Sequence, residues 1–179
     1  MRRMTVLAGV LALVSEACNG PPPNPCGSSS LSGAMAFPVK AGLAFHDPDG
    51  GNWAVWLWDV FDAGGGNSDS FQEDWQSYCT AAQANGFNTA ERPPTRLLYL
   101  SIAPPLAGAH SQPEDAGTTA VTGTFFEQGY PTGQSSSSGS FDATTTTTCL
   151  TGPLQLTFGG DGGAAGTMTG TVNVPFCSQ

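Results

Sequence analysis

Charged residues are scarce in this sequence, and positive charge is the scarcest. Asp, Glu, Lys and Arg make up 11% of the 179 residues, against ~25% in an average soluble domain. Beyond residue 17 the positive side chains are Lys40, Arg92 and Arg96. Lys and Arg are the residues that displace counterions from phosphate groups. The net charge of −9 therefore argues against nucleic acid as a partner, and against direct attraction to anionic lipid headgroups.

Long apolar runs, histidines and catalytic motifs are equally rare. No stretch reaches the ~20 apolar residues of a membrane-spanning helix. The two histidines, His46 and His110, occur without any Cys-x-x-Cys spacing, which argues against a zinc site. The sequence also lacks a Gly-x-Ser-x-Gly nucleophile elbow and a phosphate-binding glycine loop before a helix. We therefore predict no cofactor and no catalytic residues.

The N-terminus has the pattern of a bacterial export signal. Two arginines precede the apolar run 5–14, and the small residues Ser15 and Ala17 follow it. These features are typical of segments removed during export. Two kinds of processing remain open: cleavage by a general signal peptidase after Ala17, or lipid attachment at Cys18, which would then be the first mature residue.

The number of cysteines favours lipid attachment at Cys18 over simple cleavage. The sequence has 5 cysteines, and an odd number in an exported protein leaves one thiol to explain. If Cys18 carries lipid, four cysteines remain for two disulfides. We predict Cys149 with Cys177, because both follow strands that would end on the same side of a sheet, and Cys26 with Cys79.

Short motifs resemble known lipoproteins. Ala17-Cys18 is similar to the end of a bacterial lipobox. In the last third, Gly139-Ser-Phe141, the glycines of 159–163 and Pro175-Phe-Cys177 resemble surface lipoproteins of myxobacteria and their relatives. The resemblance implies a C-terminal β domain held at the cell surface, and it implies no activity.

The remaining composition predicts a mainly β protein. Gly, Thr and Ser are abundant and suit short strands joined by turns. We predict a signal peptide at 1–17, a Pro- and Ser-rich tether at 18–32 and one domain at 33–179. The predicted fold is an antiparallel β-sandwich or small barrel with one inserted helix. About seven strands are expected near 35–45, 53–61, 96–103, 119–126, 139–148, 154–158 and 167–174, and the segments 107–117 and 135–138 are expected to be loops.

One helix is predicted at about 70–85. Ser70 and Glu73 form a capping box, in which each side chain satisfies a free backbone N–H of the first turn. Asn85-Gly86 supplies a left-handed stop. Apolar residues recur between these ends at helical spacing, namely Phe71, Trp75, Tyr78, Cys79 and Ala82.

Three tryptophans are the candidate ligand-binding residues. Trp53, Trp56 and Trp58 lie in a run that is apolar at nearly every position, as in strands covered on both faces. Alternation places Trp56 and Trp58 on one face and Trp53 on the other. We interpret all three as core residues, with stacking on a glycan as the alternative.

A polar turn supplies the candidate metal ligands. Asp47, Asp49 and Asn52 lie close together. A calcium loop counted from Asp47 needs Gly at position six and a bidentate Glu at position twelve, where this sequence has Asn52 and Trp58. We interpret the segment as a turn.

Taken together, these patterns predict an exported protein at the outer membrane or cell surface, attached to the membrane through Cys18. Its predicted role is structural, adhesive or binding, toward a glycan or protein. The alternative is a secreted hydrolase acting on polysaccharide or peptide.

Overall fold

Nine strands form one curled sheet in the computed structural model, which describes residues 24–46, 51–59, 95–113, 115, 117–127, 133–159 and 165–177. The strands are β1 (Ser30–Ser32), β2 (Ala41–His46), β3 (Trp53–Trp58), β4 (Arg96–Ile102), β5 (Gly108–Gln112), β6 (Thr119–Glu127), β7 (Gln134–Thr145), β8 (Cys149–Phe158) and β9 (Gly166–Pro175). The mainly β prediction is confirmed.

The sheet order is β1-β9-β8-β7-β5-β6-β4-β3-β2, with a further pairing of β7 to β6. All strand pairs are antiparallel except β5 with β6, so the sheet is mixed. It curls until β2 meets the end of β9, where Ala44 pairs with Phe176. The result is a half-barrel, and the expectation of a purely antiparallel sheet is wrong.

Two predicted loops are strands. Residues 107–117 contain β5, and 135–138 belong to β7. Their small polar side chains gave no apolar alternation, which is the signal of a half-buried strand. Ser136 is buried and hydrogen-bonded instead: its hydroxyl accepts from the Gly123 N–H at 2.9 Å, and its carbonyl accepts from Gln112 Nε2 at 2.8 Å.

The inside of the half-barrel is the main core. Its residues come from both ends of the sheet order, including Val55 and Leu57 of β3 and Leu156 and Val172 of β8 and β9. All four are fully buried, as expected when the concave faces of a curled sheet pack against each other.

The two halves of the sheet differ on the outside. We call β2, β3, β4 and β6 the apolar half, because their outer side also carries buried apolar side chains. We call β5, β7, β8 and β9 the polar half. Along β8, Pro153 and Gln155 are exposed while their neighbours Leu154 and Leu156 are buried, so this half has one covered face.

The end of the predicted tether joins the sheet. Ser30–Ser32 pair with Thr169–Thr171 of β9. Asn173 is held by several groups: its N–H donates to Ser29 Oγ at 2.8 Å, its Nδ2 donates to the Ser28 carbonyl at 2.8 Å, and its carbonyl accepts from Asn24 Nδ2 at 3.0 Å. The chain is therefore attached to the domain from Asn24 onward.

The predicted disulfide pairing is wrong. Cys26 is bonded to Cys149, so neither Cys149–Cys177 nor Cys26–Cys79 forms. Cys149 begins β8 rather than ending a strand. After β9 the chain lies beside β2, and the Cys177 N–H donates a hydrogen bond to the Ala44 carbonyl at 2.8 Å. Cys177 is itself disulfide-bonded.

The predicted helix at 70–85, the signal segment 1–17, Cys18 and Cys79 lie outside the described residues. Within the described part of the chain, no helix long and apolar enough to cross a membrane is found.

Candidate functional site

A shallow cavity of about 380 Å³ crosses the outside of the polar half. We call it the outer groove. That volume is within the ~300–1,000 Å³ of typical ligand pockets. The outward-pointing residues that line it are Ala109 of β5, Ser140 and Asp142 of β7, Pro153 and Gln155 of β8, and Thr169 of β9.

Strand register explains how these residues meet. Ser140 pairs with Gln155, and Gln155 pairs with Thr169, so three polar side chains form a row across β7, β8 and β9. Directly paired residues lie on the same face of a sheet. Asp142 pairs with Ala109 and lies two residues further along that face. Hydroxyl, amide and carboxylate groups thus share one open surface with the ring of Pro153.

The groove can form hydrogen bonds, and it also exposes apolar surface, which exceeds its polar surface. Gln155 offers both a carbonyl oxygen and an amide group, while Ser140 and Thr169 each donate or accept. Asp142 is the acidic residue among those that line the groove. This combination of hydrogen-bonding groups and apolar surface can contact a polyhydroxylated ligand.

His110 borders the groove, but its imidazole ring lies on the covered face of the sheet. It pairs with Phe141 on the covered face and is 2% exposed. Nε2 lies 2.9 Å from the Leu106 carbonyl, and Nδ1 lies 2.5 Å from Thr119 Oγ1. A carbonyl only accepts, so Nε2 donates, and in the neutral ring the Thr119 hydroxyl donates to Nδ1.

This arrangement argues against a hydrolytic triad at the groove. A general base must reach the proton of its nucleophile, and both His110 nitrogens have other partners. Ser140 and Asp142 lie on the opposite face of the sheet from the imidazole. His46, at the end of β2, has an edge-on ring contact with Trp53 at 5.2 Å.

The three tryptophans lie on the two faces of β3 as the alternation predicted. Trp53 packs against the inner core and contacts Phe176 at 5.4 Å between ring centroids. Trp56 and Trp58 lie on the other face. Trp58 is 1% exposed, whereas Trp56 is half-buried beside Tyr99 at 4.8 Å. Trp58 is a core residue, and an aromatic platform for a glycan is not formed by these three side chains together.

The candidate metal turn is only partly described. Asn52 donates from Nδ2 to Ser101 Oγ at 3.1 Å, which is a structural contact between β3 and β4. Asp47 and Asp49 lie outside the described residues. Among the residues that the structure describes, no group of three His, Cys, Asp or Glu side chains could hold a metal ion.

The groove was missed because its signal is not local. Ser140, Gln155 and Thr169 are ordinary outward residues of three different strands, and only the register of β7, β8 and β9 brings them together. The alternation in the last strand predicted that Thr169 faces outward, but no pattern in the sequence predicted which residues lie beside it.

No protein-family model, curated protein or solved structure matches this chain. The lipoprotein resemblance of the signal and C-terminal motifs therefore stays a prediction.

Proposed function

We propose that this chain is an exported, lipid-anchored surface protein whose β domain binds and does not catalyse. Cys18 carries the lipid, and the domain stands at the outer membrane or cell surface. The outer groove contacts a neutral glycan. The alternative of a secreted hydrolase has no support from the positions of His46 and His110.

The attachment of the tether is the observation that carries this proposal. Cys26 is bonded to Cys149, and Asn24 and Ser29 are hydrogen-bonded to Asn173. Cys18 precedes Cys26 by eight positions, a distance that extends to at most ~29 Å. A lipid at Cys18 would hold the domain close to the membrane by its Cys149 end. The disulfide itself is compatible with an oxidising compartment.

Fractionation of cells tests the anchor. Cys18→Ser removes the lipid acceptor and leaves the fold untouched, so we expect the domain to move from the membrane fraction to the soluble fraction. Ser15→Ala, which keeps Cys18, is the matched control and should leave the protein in the membrane. Unchanged partitioning of Cys18→Ser would contradict the anchor.

A glycan microarray tests the groove. We expect the folded domain to retain neutral oligosaccharides, and Asp142→Ala with Gln155→Ala to weaken retention at least tenfold. That factor corresponds to ~1.4 kcal/mol, about one hydrogen bond to a charged group. Thr144→Ala, exposed on β7 but outside the groove, is the control. Absence of any retained glycan, or equal retention by the double variant, would contradict a glycan role.

We also propose one α-helix at about 70–85, inserted between β3 and β4. The capping box of Ser70 and Glu73 supports it, and Ser70→Ala should reduce stability by ~1 kcal/mol.

A further inference from the structure

A proline lies in an inner strand of the sheet, at the outer groove. Pro153 belongs to β8, which is paired along its whole length with β9 and on its other side with β7. Proline has no N–H to donate to a neighbouring strand, and in sheets it is found essentially on edge strands or at bulges. Pro153 therefore weakens strand pairing at a position where another residue would strengthen it.

The pairing of β7 with β8 is interrupted at this proline. The pairs that flank the interruption are Phe141 with Leu154 and Thr144 with Thr151. The register is the same on both sides, and it places Pro153 opposite Asp142. The missing rung of the ladder therefore lies between the residue that lacks an N–H and the acidic residue of the outer groove.

The neighbouring glycine, unlike the proline, has a structural explanation. A Cβ on Gly152 would lie 2.1 Å from the Asp142 carbonyl oxygen, so a side chain at this position would push β7 away from β8. Glycine within a strand often marks such a close approach of another backbone. The same contact shows that the Asp142 carbonyl points toward β8. Pro153 relieves no comparable contact, because its ring is exposed on the outer face.

Asp142 and Pro153 present a carboxylate and an apolar ring side by side. Both residues are exposed, and both line the outer groove. Directly opposed residues of two strands point to the same face, with their Cβ atoms ~5 Å apart. On the other side of Asp142 the paired residue is Ala109 of β5, and its small methyl group leaves the carboxylate open to the groove.

The Asp142 carboxylate is not neutralised by the part of the protein that the structure describes. Within that part it has no hydrogen bond and no ion pair. The lysine and the arginine of the described ranges belong to the apolar half: Lys40 precedes β2, and Arg96 of β4 pairs with Glu127 at 3.1 Å. A ligand in the outer groove therefore meets an uncompensated negative charge next to an apolar ring.

We propose that Asp142 and Pro153 make the outer groove select neutral glycans over glycans of uronic acids, which rests on the glycan-binding role proposed above. The ring of Pro153 packs against the apolar C–H face of one sugar residue, and the Asp142 carboxylate accepts hydrogen bonds from hydroxyl groups of that sugar. Binding sites commonly combine apolar surface with a few polar groups that fix orientation. A uronic acid brings a second carboxylate close to Asp142, and repulsion between like charges lowers its affinity.

Matched neutral and acidic oligosaccharides test the role of Asp142. The probes are immobilised oligomers of glucose, galactose and mannose and the corresponding uronic acid oligomers of equal length. We expect the protein to retain a neutral series about tenfold better than its acidic counterpart. Asp142→Asn keeps the size of the side chain and removes its charge, so this preference should be lost. High salt should weaken the preference of the unaltered protein, because salt screens exposed charges.

The control for net charge is Asp115→Asn. Asp115 is exposed and does not line the groove, so this variant loses the same charge and should keep the preference. Two outcomes separate selectivity from glycan binding itself. Retention of a neutral series with the same preference in Asp142→Asn overturns the selectivity and leaves the groove as a glycan site. Retention of no oligosaccharide by the unaltered protein overturns both.

Pro153→Ala tests whether the proline serves the ligand or the strand. We expect the variant to retain neutral oligosaccharides several-fold less, because the apolar ring is lost. Its unfolding temperature should stay close to that of the unaltered protein, since the N–H gained by β8 offsets the greater freedom of the unfolded chain. Equal retention by the variant, or a loss of retention that accompanies a clear fall in the unfolding temperature, would overturn the role assigned to Pro153.

Discussion

The two halves of the sheet bury their side chains in different ways. In the polar half, β7, β8 and β9 largely alternate between the inner core and solvent, as Leu154, Gln155 and Leu156 do along β8. In the apolar half, Ala54, Val55, Leu57 and Trp58 of β3 are all buried. One half is a single-sided sheet with a polar outer groove, and the other is the middle layer between two apolar clusters.

We therefore expect residues that affect binding and residues that affect stability to lie on different halves of the sheet. Substitutions on the outside of the polar half remove groups from water and should change binding more than folding. Substitutions on the outside of the apolar half remove buried area and should change folding first. Variants on the two outer surfaces can test this division.

The largest effect is expected at Trp58. Trp58→Ala removes a large side chain that is 1% exposed, so we expect a loss of ~3–5 kcal/mol in the free energy of unfolding. Thr171→Ala, at an exposed outward position of β9, is the matched change and should stay within ~0.5 kcal/mol. Urea denaturation measures both. Similar losses of stability in Trp58→Ala and Thr171→Ala would contradict the proposed difference between the two halves.

An intermediate effect is expected where the apolar half meets β9. A Cβ on Gly42 would lie 2.6 Å from Leu57 Cδ2 and 2.8 Å from Val174 Cγ1. Gly42→Ala should therefore cost ~1–3 kcal/mol by overpacking. At Gly159 the nearest side-chain atom, in Ser137, is 3.7 Å away, so Gly159→Ala should be close to neutral. Thermal unfolding of both variants checks this. A neutral Gly42→Ala would mean that β2 and β9 separate easily.

The smallest effect is expected at the ion pair of Arg96 and Glu127. The two residues face each other across β4 and β6 with 3.1 Å between Nε and Oε1, and their side chains are 41% and 36% exposed. Exposed pairs of this kind contribute ~0–1 kcal/mol, and salt screens them. Glu127→Gln should change stability within that range, and the change should shrink at high salt. A larger loss that is insensitive to salt would indicate a packing role for Glu127.

Sequence patterns predicted the local character of most elements. The run from Trp53 was expected to be a strand apolar on both faces, and it is. In β9 the alternation placed Met168, Val172 and Val174 inward, and all three are fully buried. The candidate site was less predictable: the tryptophans were interpreted as core, while the outer groove was not foreseen because its residues come from separate strands.

From the sequence alone it followed that the strand from Trp53 is covered on both faces and that the last strand is covered on one, because hydrophobic periodicity reflects the solvent exposure of each position directly. The partner of each strand and of each cysteine follows from the tertiary structure. The parallel pairing of β5 with β6, the bond of Cys26 to Cys149, the turn of Cys177 onto β2 and the row of Ser140, Gln155 and Thr169 depend on contacts between distant segments. Such contacts are selected by the packing of the whole curled sheet, and no single strand carries that information.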